Sequence, residues 1–287
     1  MAHPRPHPQQ RPAVSAGGLA LPARAGTALI TGASSGLGRE FAWQLAAKRC
    51  DLILVARREA HLVDLAGQIS AVAGVRCEVI VADLATDAGR TRVAARCADR
   101  HRPLNVVVNN AGFGLGQPFL GGDLKREQAA IDVMVRAVME LSHAAAPVMA
   151  ARGRGAIINV ASMVARTAMG TYAAAKAWVR SFSEALACEL AGTGVQVTAV
   201  SPGLVRTEFH AAAKLPAEVW PRLGWLSAET VVSQTLSGVA RGKVHVIPTW
   251  RYRVVEAALA ASPRALVRTV AGPKAWRGLT CGQGPVQ

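Results

Sequence analysis

Thr27-Ala-Leu-Ile-Thr-Gly-Ala-Ser-Ser-Gly-Leu-Gly38 begins as an apolar run and ends in three spaced glycines, after which Arg39 to Lys48 keeps a helical pattern. The run reads as a strand, Gly32, Gly36 and Gly38 as a turn, and the remainder as a helix. In that order, backbone N–H groups and a helix N-terminus converge on one spot, which suits the pyrophosphate of a dinucleotide. The spacing is Gly-x-x-x-Gly-x-Gly, distinct from the Gly-x-Gly-x-x-Gly fingerprint. The alternative is an ordinary loop whose glycines supply positive φ. The candidate contacts here are Gly32, Ser34, Ser35, Gly36, Leu37 and Gly38.

Outward from this turn, apolar runs alternate with helical patterns. Strands are predicted over 27–31, 51–56, 75–81, 104–109, 155–161, 195–200 and 243–247, and helices over 37–49, 59–73, 87–100, 124–151, 170–191 and 229–241. Leu52-Ile53-Leu54-Val55 and Val106-Val107-Val108 are continuously apolar, as strands buried on both faces should be. The repeated strand–helix order implies an α/β fold, a doubly wound parallel sheet with helices on both faces. On 170–191, Ala175, Val179, Phe182, Leu186 and Leu190 form one stripe, with Gly192 and Gly194 as candidate C-caps.

The chain has 287 residues and a formal charge of +15, yet the charge sits at its ends. Residues 1–26 carry three basic and no acidic side chains, and 241–287 carry eight basic and one acidic, which leaves 22 basic against 17 acidic between them. No zinc-finger spacing or aromatic run supports nucleic-acid recognition, and no metal site is expected. Cysteines 50, 77, 97, 188 and 281 are scattered singly, which suits reduced thiols and a cytoplasmic location. Residues 1–25, with five prolines and no apolar core, read as a disordered leader, and no apolar stretch looks long enough to span a bilayer.

Tyr172-Ala-Ala-Ala-Lys176 places a phenol and an ammonium group on one helix face. A cation held there favours the phenolate and is expected to lower the tyrosine pKa from roughly 10, making Tyr172 a proton donor and acceptor. Ser162, at the end of the strand over 155–161, precedes it by ten residues.

Six motifs in order, Thr31–Gly38, Asp83-Leu84, Asn109-Asn110-Ala111-Gly112, Asn159-Val-Ala-Ser162, Tyr172–Lys176 and Ser201-Pro202-Gly203, give a chain that resembles the short-chain dehydrogenase/reductase family from about Thr27 to Ile247. The resemblance implies a Rossmann fold in a single domain, about 26–250, with a basic, helical C-terminal extension over 251–287. It implies that Tyr172 exchanges a proton with a carbonyl oxygen, that Ser162 hydrogen-bonds the same oxygen, and that Lys176 lowers the Tyr172 pKa and binds the nicotinamide ribose. It also implies that Asp83 and Leu84 border the adenine and that Asn110, Ala111 and Gly112 pass beneath the ribose. Pro202, Gly203, Val205 and Thr207 would line the nicotinamide end. A homo-oligomer built on the helix over 170–191 and its predecessor is the family's common assembly.

At the end of the second strand, Ala56 stands where a carboxylate would hold a free ribose 2′-hydroxyl, and Arg57 follows it. A guanidinium there suits a 2′-phosphate, so NADP(H) is expected rather than NAD(H). Two features depart from the family's pattern. Met134 stands where the family usually carries an Asn in a proton relay, and a thioether is at best a weak acceptor. The Ser162-to-Tyr172 interval is about three residues short. Both leave open a slow enzyme, or a regulatory protein that binds NADP(H) without turnover.

Phe113, Leu115, Met163, Val164, Met169, Leu204, Val205, Trp220, Leu223 and Trp225 make a mostly apolar candidate pocket, with 203–226 as its lid. A lipophilic ketone, aldehyde or secondary alcohol is therefore expected. Ser262-Pro263 reads as an N-cap and first-turn proline of a last helix. With Arg251, Arg253, Arg264, Arg268, Lys274 and Arg277, the extension either packs on the domain or a sister subunit, or lies on an anionic membrane surface.

Overall fold

The structure, a computed structural model, describes residues 26–207 and 224–272. The predicted leader, Trp220, Leu223, Lys274, Arg277 and Cys281 lie outside the described residues.

Among the described residues seven strands form one sheet: β1 (Thr27–Thr31), β2 (Asp51–Ala56), β3 (Cys77–Val81), β4 (Val106–Asn109), β5 (Gly155–Val160), β6 (Val195–Val200) and β7 (His245–Val246). Their order is β3-β2-β1-β4-β5-β6-β7, and every neighbouring pair is parallel. Among the described residues the helices are α1 (Gly36–Ala47), α2 (Glu59–Ala73), α3 (Asp87–Cys97), α4 (Leu124–Ala151), α5 (Gly170–Glu189), α6 (Ala228–Ala240), α7 (Trp250–Ala261) and α8 (Arg264–Val270).

Alternate strand residues feed two cores, as the pleat requires. Ala28, Ile30, Leu52, Leu54, Val106 and Val108 join Phe41 and Leu45 of α1, Leu62 and Ile69 of α2 and Leu236 of α6. Leu29, Ile53, Val55, Val107 and Ile157 join Val93 of α3, Leu141 and Met149 of α4 and Ala175 of α5 on the other face. Burying one such Leu, Ile or Val is worth about 1.5–3 kcal/mol, so both faces drive the layered fold.

The differences from expectation are local. β7 keeps two residues, and α3 stops at Cys97. The long helix is interrupted by a π-helical segment over Asp132–Arg136 that contains Met134. Leu124–Ala151 spans 28 residues with mean hydropathy 1.2 in its apolar window, so by length and composition it could cross a membrane, contrary to the sequence expectation. Its residues Ala130, Met134, Leu141 and Met149 are spent on the second core, which makes it a core helix here. Ser262 is not the N-cap of α8. Its hydroxyl donates to Ala258 at the end of α7, and Pro263 takes the cap position.

Between β1 and β4 the strand order reverses. The chain leaves β1, β4, β5 and β6 on the same edge, so Gly32, Asn110, Ser162 and Pro202 all emerge beside the crevice where parallel α/β sheets bind ligands.

Candidate active site at the carboxyl edge of the sheet

Thr31 and Asn110 tie the two central strands at this edge. The Thr31 hydroxyl accepts from the backbone N–H of Asn110 and Ala111, both at 3.0 Å, and Asn110 Nδ2 donates to the Thr31 carbonyl at 2.8 Å. Gly32 takes φ +66°, and a β-carbon on Gly38 would fall 2.2 Å from the Gly32 carbonyl oxygen. Only glycine allows α1 to start this close to β1.

The N-terminus of α1 is built in a way that suits an anion. Thr86, Asp123 and Ser227 cap α3, α4 and α6 with side-chain hydrogen bonds, and each of those helices has an acid in its first turn. Ser35 makes no such bond, and the first turn of α1 carries no acid. Its positive end therefore faces the glycine turn without an internal counter-charge. These residues fit a bound dinucleotide pyrophosphate.

Arg57 is exposed, but Arg58 is the guanidinium that reaches the turn, donating through Nη2 to Ser34 Oγ at 3.1 Å. The sequence showed the Arg pair without showing which member folds back. Asp83 accepts from the Ala85 N–H at 3.0 Å, and the Leu84 side chain is buried in the core. Asp83 thus shapes the turn into α3 at the expected adenine border. Thr207 lies against the turn from the far side, 3.2 Å from where a β-carbon of Gly36 would stand. Arg39, Arg206 and Thr207 border an open cleft of about 420 Å³ beside Gly36.

Ser162, Tyr172 and Lys176 come together. Ser162 caps the short turn Met163–Arg166, accepting from the Val164 N–H at 3.3 Å, and hydrogen-bonds the Tyr172 phenol. Since Ser162 already accepts from the backbone, its own proton is available to the phenol oxygen. Lys176 Nζ lies 5.8 Å from the Tyr172 ring centroid and donates to the Val160 carbonyl at 2.7 Å. The Met163 N–H donates to the Pro202 carbonyl at 3.0 Å, so the loop after Ser162 is joined to Pro202-Gly203.

The electrostatics correct the sequence expectation for Tyr172. Burial pushes its pKa up to about 12, and the Ser162 hydrogen bond only partly opposes this. Burial likewise lowers Lys176 to about 8. Met134 contributes to that dry setting: its Sδ approaches the Gly112 β-position at 3.4 Å and Lys176 Nζ does so at 3.6 Å. Helical spacing fixes a shared face, whereas desolvation depends on what packs over it.

Beneath the site runs a buried polar chain that sequence reasoning missed. Asn109 Nδ2 donates to Asn159 Oδ1 at 2.8 Å and to Ser142 at 3.2 Å, and Asn159 Nδ2 donates to Ser183 at 2.9 Å. These bonds fasten β4 and β5 to α4 and α5, which carry Met134 and Lys176. An Asn at the end of one apolar run and another within a second, Asn109 and Asn159, were the available signal.

Comparison with known proteins identifies the frame. The short chain dehydrogenase family model matches residues 26–217, and the chain belongs to this family of oxidoreductases. It is similar to sulfoacetaldehyde reductase 2 of Chromohalobacter salexigens, 37% identical over 186 residues, 63% of this chain and 73% of that one. Among solved structures it is similar to a short-chain dehydrogenase from Sphingobium yanoikuyae in complex with NADPH, with TM-score 0.76 and 30% identity over 91% of this chain and 98% of that one. It is also similar to the bulky-bulky ketone specific alcohol dehydrogenase from Comamonas testosteroni, with TM-score 0.71 and 28% identity, covering 84% and 96%.

A lysine lowered from 10.5 to about 8 has a testable consequence. Between those values the unfolded chain holds a proton that the folded chain has released, so through this group stability rises with pH. At pH 7 the buried charge costs about 3 kcal/mol. Lys176→Met is expected to raise stability in urea at pH 7 by about 1–3 kcal/mol, the gain shrinking toward pH 10. A variant less stable than the parent at pH 7 would contradict the burial cost.

Proposed function

We propose that the chain is an NADP(H)-dependent oxidoreductase of CH–OH groups that interconverts a lipophilic ketone or aldehyde and its alcohol. The observation that carries this is the meeting of Ser162, Tyr172 and Lys176 at the sheet edge, beside a glycine turn fitted to a dinucleotide. Bound NADPH supplies the hydride. The chain's residues handle position and protons. The phenol, raised by burial, is protonated at neutral pH, so in the reductive direction Tyr172 gives its proton to the carbonyl oxygen. Ser162 hydrogen-bonds that oxygen as charge develops on it. Lys176 holds the ribose hydroxyls and stabilises the phenolate left behind.

Arg57 and Arg58 would receive a 2′-phosphate that an acid at position 56 would repel. Gly32, Ser34, Ser35, Gly36, Leu37 and Gly38 would hold the pyrophosphate, and Asp83 and Leu84 the adenine. Asn110, Ala111, Gly112, Pro202, Gly203, Val205 and Thr207 would complete the cofactor's bed. Lipophilic substrates are favoured by buried Leu115 and Met163, half-buried Phe113, Val164 and Met169, and exposed Phe119 and Leu120 in the loop after Gly112. The bulky-ketone enzyme is similar in fold, which supports the same class. A thioether rather than an amide beside Lys176 favours slow turnover.

The catalytic unit would span 26–250 in the cytoplasm, self-associating through α4 and α5, where Trp178 and Phe182 stack at 4.7 Å and Met139 is exposed. The extension packs on the domain, Glu256 pairing with Arg166 and Arg180, and its outer face supplies a further, peripheral contact. Trp250, Val254 and Ala261 line the outer face of α7, with Arg251 and Arg253 on its flanks. Its acid, Glu256, is turned inward. That pattern fits an anionic bilayer surface.

NADPH oxidation followed across ketones and aldehydes of increasing bulk tests the enzyme reading. Turnover should favour bulky apolar carbonyls, kcat/KM should be at least tenfold higher with NADPH than NADH, and Tyr172→Phe should lose nearly all turnover while keeping NADPH affinity. Tight NADPH binding with no turnover of any carbonyl would favour the regulatory alternative instead. For the extension, co-sedimentation with phosphatidylglycerol vesicles should fall several-fold in Trp250→Glu/Val254→Glu. Equal binding by parent and variant would exclude the membrane contact.

A further inference from the structure

Tyr252 of α7 sits 48 residues beyond Leu204, outside every motif read from the sequence, yet it packs against the chain that follows Pro202. Its ring lies on Gly203: a β-carbon there would fall 1.9 Å from the ring's Cζ. Its hydroxyl accepts from the Leu204 N–H at 3.0 Å and donates to the Gly224 carbonyl at 2.6 Å. One phenol therefore ties together two positions far apart in sequence, the feet at Leu204 and Gly224.

The feet are also joined to each other. The Leu226 N–H donates to the Leu204 carbonyl at 2.8 Å, and the Arg206 N–H donates to the Leu226 carbonyl at 3.0 Å. One turn along α7, buried Glu256 pairs with Arg166, at the end of the turn that starts after Ser162, and with Arg180 of α5. Arg264 of α8 donates to the Arg166 carbonyl at 2.9 Å, and the Ala168 N–H donates to the Ala271 carbonyl at 3.1 Å. The C-terminal helices thus brace both loops that flank the Ser162 hydroxyl, and the Met163-to-Pro202 hydrogen bond links those loops directly.

We propose that Tyr252 is a positioning residue for substrate: resting on the carbonyl chemistry proposed above, its hydroxyl fixes the feet at Leu204 and Gly224 and so sets the width of the cleft opposite Ser162. Its contacts with Gly203, Leu204 and Gly224 involve none of the proton-transfer groups. The ring and the hydroxyl have separable tasks, because the ring seats Gly203 and the hydroxyl clamps the feet. Removing only the hydroxyl should therefore loosen the substrate wall while leaving the fold and the proton-transfer groups in place.

Tyr252→Phe in the full chain is the test, with three readouts. KM for the carbonyl substrate should rise roughly tenfold, as expected for loss of about two hydrogen bonds in a half-buried setting. The kcat at saturation and the Kd for NADPH should stay within about twofold, and Tm within a few degrees. Hydrogen–deuterium exchange should accelerate at least tenfold at the Leu204 amide, with little change in β1 or β4. Unchanged KM and unchanged exchange would overturn the proposal. So would a parallel fall of kcat and Tm, which would mark a general structural role. If the parent turns over no carbonyl, the reductase function is at fault rather than the clamp, and exchange at Leu204 alone then decides whether the hydroxyl holds the feet.

Discussion

Lys176 is 5% exposed, and its ammonium group donates to a strand carbonyl at 2.7 Å on the carboxyl edge of the sheet. Much of the surrounding structure is what such burial requires. Ala173 and Ala175 are small and buried on the same helix, which lets α5 press against the sheet. Met134 closes the side next to Gly112, within a π-helical segment that departs from regular α4 geometry. A π segment adds a residue to the turn and is often found at functional sites. The dry surroundings that lower Lys176 also raise Tyr172, so the cleft holds a firmly protonated phenol beside a readily discharged amine.

Geometry at the edge is held by polar bonds where side-chain packing alone would not fix distances. Thr31 and Asn110 lock β1 to β4, and the Asn109–Asn159–Ser183 chain locks β4 and β5 to α5. Each lock is buried or half-buried, so losing a partner would strand a polar group in a low-dielectric interior. Gly38 is held against the Gly32 carbonyl by the same strand pair that carries Asn110 to the carboxyl edge.

Much of this was legible in the residues. The continuous apolar runs of β2 and β4 gave both strands and their double burial, and the glycine spacing gave the start of α1. Tyr172 and Lys176 shared a helix face by simple periodicity. Other features arise from contacts distant in sequence. Whether Arg57 or Arg58 folds over Ser34 depends on how the chain leaves β2. Tyr252 meets Gly203 only once α7 is packed. The pKa direction at Tyr172 was misread because periodicity places the cation near the phenol but says nothing of water. The cap of α8 moved from Ser262 to Pro263 because the hydroxyl found a carbonyl behind it in α7.

A phenol kept protonated through burial differs measurably from one whose pKa is lowered by a neighbouring charge. The chain has two tyrosines, Tyr172 and Tyr252, so a protein labelled with carbon-13 at tyrosine Cζ gives two resonances, assignable with Tyr252→Phe. Followed with pH in the cofactor-free protein, the Tyr172 resonance should titrate near 12. A midpoint at or below the ordinary value of roughly 10 would mean that the Lys176 charge, and not burial, governs the phenol.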